Sequence, residues 1–354
     1  MVPDRVLAFR IARHRLGERV ADAATAAFPG LQDTPPGSAG AALAARADVG
    51  PEALEELVVV PSLRGAATAV ALDDLALFTS GLEPADEAEA RHLTGNAWKA
   101  LEKHTAMEAL DIASEAVRDV LADGPHIKSE FHRQLTGRVP ADLRWWCKGC
   151  GERHVHPSLW RATGIRGVLA VVGRDGRCGR RGAVHGRAPV EDPGGALARR
   201  FLQGHGPSTP LLFRAWAMLT LPHAKRLLAR AGELAQIGDK WVLAEDAALE
   251  APEPKGARLL PNLDPIASAR DREILVPDAA LRKRIWRSLG GPGMALVDGE
   301  VAGLWRPRKK GRRLVVELEP LRRLTAGERE ALADEAGRLA PFRGAETAEL
   351  VLTG

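Results

Sequence analysis

Two cysteines and two histidines lie close together in the segment WWCKGCGERHVH (145–156). Cys147 and Cys150 have the C-X-X-C spacing of half a zinc knuckle, and His154 and His156 follow within the length of one hairpin. Thiolate and imidazole groups are ligands that zinc prefers, so these four side chains are the expected ligands of a metal, with Cys178 as a further ligand if it converges. A second cysteine pair at comparable spacing is lacking. The sequence therefore predicts no cofactor, and the alternative is one zinc ion at these residues.

This segment has two other interpretations. A thiol oxidoreductase would place Trp-Cys-X-X-Cys at the start of a helix within a βαβ unit, whereas here Gly151 follows and no βαβ pattern surrounds it. Redox chemistry is therefore discounted. In the remaining alternative, Trp145 and Trp146 pack in a hydrophobic core and the thiols stay free.

Positive charge is concentrated in two arginine-rich segments, GRDGRCGRRG (173–182) and WRPRKKGRR (305–313). Both are predicted to be loops or hairpin tips. Guanidinium groups bind phosphates bidentately, and the net charge of +4 with a pI near 9.1 fits a nucleic-acid partner. We expect these segments to neutralise phosphates of duplex DNA, and the alternative is that they are solvated charged turns. The predicted DNA-binding residues here are Arg174, Arg177, Arg180, Arg181, Arg306, Arg308, Lys309, Lys310, Arg312 and Arg313.

Length and composition limit the class of protein. A chain of 354 residues exceeds the size of a single hydrophobic core, so two or three modules are expected. No apolar stretch is long enough to span a bilayer, and arginines interrupt the apolar run at the N-terminus, which indicates an amphipathic helix rather than a signal peptide. The three cysteines do not make a disulfide framework. We expect a cytoplasmic monomer without a membrane partner.

An internal repeat organises the middle of the chain. AVRDVLADGPHIKSEFHRQL (116–135) and LARRFLQGHGPSTPLLFRAWAML (197–219) each show a helical pattern, Gly-Pro and a second helical pattern, with an arginine before and a phenylalanine after at matching distances. Gly124 and Gly206 are predicted to end the first helix in the left-handed conformation, and the following proline prevents its continuation. This punctuation predicts a helix-turn-helix in each copy.

Each second helix is expected to lead into a strand pair, GVLAVVGRDGRC (167–178) in one copy and ELAQIGDKWVLAED (233–246) in the other. Two helices followed by a hairpin is the order of a winged helix. A weaker third copy lies at the N-terminus, with a helix over 4–16, the turn LQDTPPGSA, the helix AGAALAAR and the hairpin ELVVVPSLRGAATAV.

The pattern changes at EAPEPKGARLLPNLDP (250–265), which is predicted to be a linker followed by an irregular loop. Asp264-Pro265 favours a turn, and the alternative is that Asp264 borders a cleft together with Arg270, Asp271 and Arg272. A hairpin around Asp298-Gly299, a strand over 313–321 and a helix over 325–342 with a Thr325–Glu328 capping box are expected to follow.

The predicted fold class is α+β, with tandem winged-helix units followed by a small β-rich C-terminal module. The expected boundaries place the three winged-helix units at 1–95, 96–190 and 191–250, and the linker with the β-rich module at 251–354.

This order of elements, together with GLQDTPPGSAGAALAAR, ARLLPNLDPIASARDRE and ALVDGEVAGLWR, resembles the AlkZ/YcaQ-like winged-helix family of bacterial DNA glycosylases over nearly the whole chain. The resemblance implies winged helices around a DNA-binding cleft and the excision of N7-alkylated or crosslinked purines from duplex DNA. The implied enzyme is a monofunctional glycosylase that hydrolyses N-glycosidic bonds. The alternatives are a non-catalytic DNA-binding protein that retains the scaffold, and winged helices used only for protein contacts.

The resemblance also implies the site. The family signature of Gln, a hydrophobic residue and then Gln or a carboxylate reads Gln32-Asp33-Thr34 here, and the Arg-Gly element that a His follows reads Arg64-Gly65 with Thr68. Gln32, Asp33 and Thr34 are thus the expected catalytic residues, and Arg64 joins the expected DNA-binding residues. Gln32 and Thr34 would hold a water molecule, with Asp33 as electrostatic stabiliser or base. In the alternative, Asp33 and Thr34 cap the following helix and Gln32 hydrogen-bonds the turn.

Overall fold

A computed structural model of the chain describes residues 2–101, 103–173, 176–179, 190–287 and 290–353. The architecture is mixed α+β, as predicted. The α-helices are α1 (Val2–Arg13), α2 (Ala23–Ala26), α3 (Ser38–Ala44), α4 (Leu75–Phe78), α5 (Glu87–Thr94), α6 (Ala106–Val120), α7 (Lys128–Arg138), α8 (Pro157–Ala162), α9 (Pro193–His205), α10 (Pro210–Ala217), α11 (Leu221–Leu228), α12 (Ala279–Ile285) and α13 (Ala326–Phe342). The strands are β1 (Leu31–Gln32), β2 (Val58–Pro61), β3 (Ala67–Val70), β4 (Arg144–Cys147), β5 (Glu152–Val155), β6 (Ala170–Val172), β7 (Arg177–Gly179), β8 (Leu234–Ile237), β9 (Lys240–Leu243), β10 (Ala257–Leu260), β11 (Gly293–Val297), β12 (Glu300–Lys310), β13 (Arg313–Pro320) and β14 (Thr347–Leu352).

The chain divides into two compact units, each built from separate stretches of sequence. The terminal unit contains Met1–Leu57, Arg200–Leu212 and Glu233–Gly354, and the central unit contains Val58–Arg199 and Phe213–Gly232. Among the described residues, no helix has the length and apolar character that crossing a bilayer requires.

A five-stranded sheet in the order β10-β11-β12-β13-β14 dominates the C-terminal part of the terminal unit. The predicted hairpin is confirmed, since β11 and β12 pair antiparallel and Asp298 and Gly299 both have left-handed φ values, of 49° and 86°. The predicted strand over 313–321 is β13, and the predicted capping box of Thr325 and Glu328 begins α13. Alternating apolar residues of the sheet pack against the buried face of α13.

The predicted linker over 250–265 is wrong in its second half. Residues 257–260 form β10, which pairs antiparallel with β11 from Ala257↔Val297 to Leu260↔Met294. The physical reason is burial: Ala257, Leu259 and Leu260 are all core residues, and a backbone inside a core must satisfy its polar groups in a sheet. The prolines that favoured a linker precede this strand.

The helices of the internal repeat are confirmed as α6 and α7 in the first copy and α9 and α10 in the second. Gly124 has a φ of 118°, whereas Gly206 lies outside the positive-φ region and precedes a cis peptide bond to Pro207, so the left-handed conformation predicted for Gly206 is wrong. The residue after each Gly-Pro forms an isolated antiparallel bridge to the second strand of a hairpin, His126 to Cys178 and Ser208 to Trp241.

Both predicted hairpins form, as β6–β7 and β8–β9. The prediction that each directly follows the second helix is wrong, because α11 lies between α10 and β8, and α8 lies between α7 and β6. The first copy also contains the antiparallel β4–β5 pair between α7 and α8. This pair is an insertion, since only the short loop between α10 and α11 occupies the same place in the second copy.

At the N-terminus, the predicted helices are α1 and α3, and the predicted hairpin is β2–β3, which pairs antiparallel from Val58↔Val70 to Pro61↔Ala67. In the central unit, β2 also pairs with β6 through Val59 and Val171.

Candidate functional site

The turn that carries Gln32, Asp33 and Thr34 lies between β1 and α3. Asp33 Oδ1 accepts hydrogen bonds from the backbone N–H groups of Gly37 and Ala39, at 2.8 and 3.0 Å. The first backbone N–H groups of a helix have no acceptor within the helix. Asp33 supplies an acceptor for two such groups and therefore caps α3. Gly37 has a φ of 84°, a conformation that favours glycine and turns the chain into the helix.

The other two residues of the triplet are local as well. Gln32 is half-buried, and its Nε2 donates to the Thr34 carbonyl oxygen at 3.2 Å. The Thr34 side chain is exposed, so the hydrogen bond to Gln32 uses the backbone of Thr34 and not its hydroxyl group. Capping by Asp33 and turn bonding by Gln32 match the structural alternative for these two residues. The described contacts show no capping by the Thr34 hydroxyl group, and a catalytic role for the three residues stays a prediction.

A buried ion pair fixes the C-terminal end of α3. The guanidinium of Arg46 donates to both carboxylate oxygens of Asp264, at 2.8 and 2.6 Å, and both side chains are 0% exposed. Asp264 Oδ1 also accepts the backbone N–H of Ile266 at 3.1 Å, as expected for a turn initiator. The pair therefore links α3, which follows the candidate turn, to residues far along the chain within the same unit.

Arg64 and Thr68 lie in the central unit on the β2–β3 hairpin. Arg64 has a φ of 58°, uncommon for a residue with a side chain, and its Nη1 donates to the Trp216 carbonyl oxygen. Thr68 is buried and its Oγ1 donates to the Ala66 carbonyl oxygen at 3.1 Å. Arg64 borders a small pocket of the central unit. The pocket is lined by Ser62, Arg64, Leu82, Pro84, Glu89, His92, Leu93, Ala217, Met218, Leu219, Thr220 and His223.

The basic segment 305–313 forms the tip of the β12–β13 hairpin, as predicted. The cationic side chains from Arg306 to Arg313 are all exposed there. Arg308 pairs with Glu317 at 3.1 Å, Arg313 pairs with Glu349 at 3.1 Å and Arg312 pairs with Glu346. Exposed pairs such as these contribute little to stability. In the part of the chain that the structure describes, Arg306, Lys309 and Lys310 have no acidic partner. The tip thus keeps unneutralised positive charge.

The other basic segment is only partly described. Arg177 is exposed at the start of β7. Arg174, Arg180 and Arg181 lie outside the described residues.

Cys147, Cys150 and His154 come together at the end of the β4–β5 hairpin, with one ligand atom from each within 4.8 Å of the others. His156 is not part of this group, because its Nδ1 accepts the Ser158 backbone N–H at 3.1 Å and caps α8. Cys178 is buried in the hydrophobic core of the central unit. The predicted metal set is therefore reduced to three residues.

The electrostatic environment differs among the three cysteines. The pKa of Cys147 is lowered to about 7, mainly because the Cys150 backbone N–H donates to its sulfur. The hydrogen bond from the Cys150 thiol to Cys147 raises the pKa of Cys150. Burial raises the pKa of Cys178 to about 11. At neutral pH the hairpin thus holds a partly ionised thiol beside a neutral one.

The core role predicted for the tryptophans of this hairpin is wrong for Trp146, whose side chain is 53% exposed. On an antiparallel pair the side chains of neighbouring residues point to opposite faces. Trp145 is half-buried and packs against the ring of His156 with 4.4 Å between centroids, so Trp146 points to the other face.

Comparison with known proteins places the chain in a family. A family model described as DNA glycosylase AlkZ-like matches residues 25–342. The chain belongs to the AlkZ-like DNA glycosylase family. Among solved structures, the Streptomyces sahachiroi DNA glycosylase AlkZ is similar over 99% of each chain, with a TM-score of 0.74 and 21% sequence identity, a likeness that shows a shared fold. No curated protein matches the sequence. The resemblance found in the sequence motifs is confirmed.

This AlkZ-like chain also contains buried carboxylates whose charged partners the sequence did not reveal. In the central unit, Glu89 accepts a bidentate pair from Arg226 at 2.7 and 2.8 Å and lies 3.2 Å from His223 Nδ1. In the terminal unit, Arg10 donates to both oxygens of Asp271, at 3.0 and 2.7 Å. Such partners are far apart along the chain, so no local signal in one sequence could pair them.

Proposed function

We propose that the protein is a DNA glycosylase that releases N7-alkylated or crosslinked purines from duplex DNA. The observation that carries the proposal is the family match over residues 25–342, a range that contains the turn with Gln32, Asp33 and Thr34. In the reaction, water adds to C1′ of the deoxyribose, and the electron pair of the N-glycosidic bond leaves with the purine. The proton of the water passes to a nearby carboxylate or to solvent.

This substrate class makes modest demands on the protein. Alkylation at N7 gives the purine a positive charge, so the base leaves as a neutral molecule without being protonated by the enzyme. The remaining tasks are to position the water and to stabilise the cationic sugar that develops as the bond breaks. Polar oxygens and one carboxylate are sufficient for both tasks.

The turn before α3 offers these groups within three residues. We assign the Gln32 amide oxygen and the Thr34 hydroxyl to the water, because the Gln32 Nε2 already donates to a backbone carbonyl and the Thr34 hydroxyl is exposed. Asp33 supplies the negative charge. Since Oδ1 accepts two backbone N–H groups, Oδ2 is the oxygen assigned to the water or to the sugar.

The two Gly-Pro copies are proposed to be winged-helix units. Three features support this assignment: a helix before the Gly-Pro, two helices after it and a hairpin at the end. The bridges from His126 to Cys178 and from Ser208 to Trp241 add the third, short strand that pairs with the hairpin in such units. Their expected partner is duplex DNA.

The exposed β12–β13 tip is proposed to contact DNA phosphates. Arg306, Lys309 and Lys310 carry its unpaired charge among the described residues, and each phosphate that a cation neutralises releases counterions. Arg306 Nη1 also donates to the Gly290 carbonyl oxygen at 2.9 Å, but its side chain is exposed. Arg64 is a weaker assignment, because it is half-buried and its guanidinium donates to the Trp216 carbonyl oxygen.

A second candidate function is DNA binding without base excision. The observation that favours it is the engagement of Asp33 and Gln32 in capping α3 and bonding the turn, which explains both residues without any chemistry. A member of the family that retained the fold and lost the activity would keep these contacts.

The deciding experiment measures release of N7-methylguanine from a duplex that contains one such lesion, by chromatography and mass spectrometry. We expect base release by the protein and a large loss in Gln32→Ala. The matched control is Gln236→Ala, because Gln236 on the β8–β9 hairpin makes the same kind of contact, from Nε2 to the Gly238 carbonyl oxygen at 2.9 Å. Both variants are compared at saturating enzyme concentration, so that weaker DNA binding through this hairpin does not change the measured rate. Equal rates in both variants would refute the assigned role of Gln32.

Binding to the same duplex separates the two candidate functions. Binding that weakens with salt, without base release from any alkylated duplex, would support the non-catalytic function. Failure to bind duplex DNA at low salt would refute both.

A further inference from the structure

The β4–β5 hairpin is an insertion that contacts the core of the central unit through β5, where Val155 is buried and its carbonyl oxygen accepts from His132 Nε2 at 3.1 Å. Each strand has only four residues, and the turn from Lys148 to Gly151 is exposed. A two-stranded hairpin of this length is at best marginally stable without additional support. Small elements with little core of their own are commonly stabilised by a disulfide or a metal ion.

Three ligand atoms converge at the end of this hairpin. The sulfurs of Cys147 and Cys150 and a ring nitrogen of His154 lie within 4.8 Å of one another. Tetrahedral zinc with Zn–S distances of about 2.3 Å separates two sulfur ligands by about 3.8 Å. No pair of ligand atoms in the cluster is therefore more than about 1 Å farther apart than this value, and the Cys150 turn that would adjust is exposed.

His154 offers a buried ring nitrogen to this cluster. Its side chain is 5% exposed, and among the residues that the structure describes its Nε2 has no hydrogen-bond partner. Its Nδ1 lies 2.9 Å from the Val155 carbonyl oxygen, so Nδ1 carries the proton and Nε2 carries the lone pair. Histidines that bind metals usually donate their other ring N–H to a carbonyl in this way.

The chain turns sharply after Cys150. The Gly151 N–H donates to the Cys147 carbonyl oxygen at 2.9 Å, and Gly151 has a φ of 71°, a conformation that favours glycine. This turn places Cys150 beside Cys147 at the end of the hairpin.

We propose that Cys147, Cys150 and His154 Nε2 bind one zinc ion, with a water molecule as the fourth ligand. Binding releases the two thiol protons to solvent, so both sulfurs bind as thiolates and the oxidation states do not change. His156 is excluded because its Nδ1 caps α8, and Cys178 because it is buried in the core. The ion clamps the inserted hairpin and fixes the exposed Trp146 beside it.

The test measures metal content and thiol coordination in the full-length chain. Protein purified under reducing conditions without chelators is analysed for zinc by elemental mass spectrometry. About one zinc ion per chain is expected. The metal-free chain is then titrated with Co²⁺, and a sulfur-to-cobalt charge-transfer band together with tetrahedral d–d bands is expected. The titration needs no variant, so it holds if substitutions impair folding.

Matched variants assign the ligands. Cys147→Ser and His154→Gln should lose the zinc and the charge-transfer band, whereas Cys178→Ala and His156→Gln should keep both. Absence of zinc and of the cobalt band in the intact reduced chain would overturn the proposal, as would equal loss in His156→Gln. A Cys147–Cys150 disulfide that forms in preference to metal binding would also overturn it and would indicate a redox pair.

Discussion

The proposed contribution of the Asp33 negative charge to base release can be tested separately from the contribution of Asp33 to capping α3. The substitution Asp33→Asn keeps a side-chain oxygen that can accept the N–H groups of Gly37 and Ala39 but removes the negative charge. Asp33→Ala removes both. Because asparagine and aspartate are equally good helix caps, the first variant isolates the electrostatic contribution.

The expected magnitudes differ enough to separate the two roles. Loss of a cap costs about 0.5–2 kcal/mol, so we expect Asp33→Ala to be destabilised by about 1 kcal/mol and Asp33→Asn by less than about 0.5 kcal/mol. If the carboxylate stabilises the developing positive charge of the sugar, its removal should slow base release by about 100- to 1,000-fold. This loss should be similar in both variants.

The assay is single-turnover release of N7-methylguanine with enzyme in excess over the duplex, together with urea unfolding of each variant. A rate for Asp33→Asn close to that of the unmodified chain would refute the catalytic role of the charge. Equal stability of Asp33→Ala and Asp33→Asn would instead refute the capping role that the contacts of Asp33 indicate.

Three further predictions concern the buried pair, pH and DNA binding. Replacing Arg46 with Met leaves the Asp264 carboxylate buried without its partner and should lower the free energy of unfolding by about 3–5 kcal/mol in urea unfolding; a loss under about 1 kcal/mol would contradict this. Burial lowers the pKa of His14 well below 6.5, so the folded chain holds it neutral. Because the unfolded chain takes up a proton at His14 more readily than the folded chain, the free energy of unfolding falls as the pH drops below 6.5, by up to about 1.4 kcal/mol per pH unit. The variant His14→Gln should lose less stability between about pH 7 and 5. Replacing Lys309 and Lys310 with Gln should make the plot of the logarithm of the association constant for duplex DNA against the logarithm of salt concentration less steep by about 1.8, if each lysine contacts one phosphate. An unchanged slope would show that DNA does not contact this hairpin tip.

Local patterns in the sequence predicted the elements whose signals are local. The Asp298-Gly299 turn, the Thr325–Glu328 capping box and the Gly-Pro punctuation each depend on a few adjacent residues, and each element appears where it was expected. The internal repeat also predicted the first two helices and the hairpin of each copy, because two copies of one pattern support each other, but it did not predict the further helix, α8 or α11, before each hairpin.

The errors come from features that depend on tertiary contacts. Residues 257–260 follow several prolines, and only their burial beside β11 makes them a strand. The parallel strand β14 was not predicted, since its pairing with β13 requires α13 to return the chain to the same sheet.

The candidate site was predictable to a similar extent. The position of Gln32, Asp33 and Thr34 before a helix followed from Pro35, Pro36 and the alanine-rich segment. The ion pair that anchors this helix was not, because Arg46 and Asp264 are separated by most of the chain. Convergence of Cys147, Cys150 and His154 was predicted from spacing, while the different roles of His154 and His156 depend on the orientation of each ring.

The discontinuous terminal unit has a consequence for biosynthesis. The turn with Gln32 emerges early from the ribosome, but the Asp264 partner of α3 and the strands that complete its core are translated much later. A nascent or prematurely terminated chain therefore displays the Gln32-Asp33-Thr34 turn without the scaffold that holds it. If the proposed role of this turn is right, base release begins only after translation is nearly complete, and truncated chains should release no base.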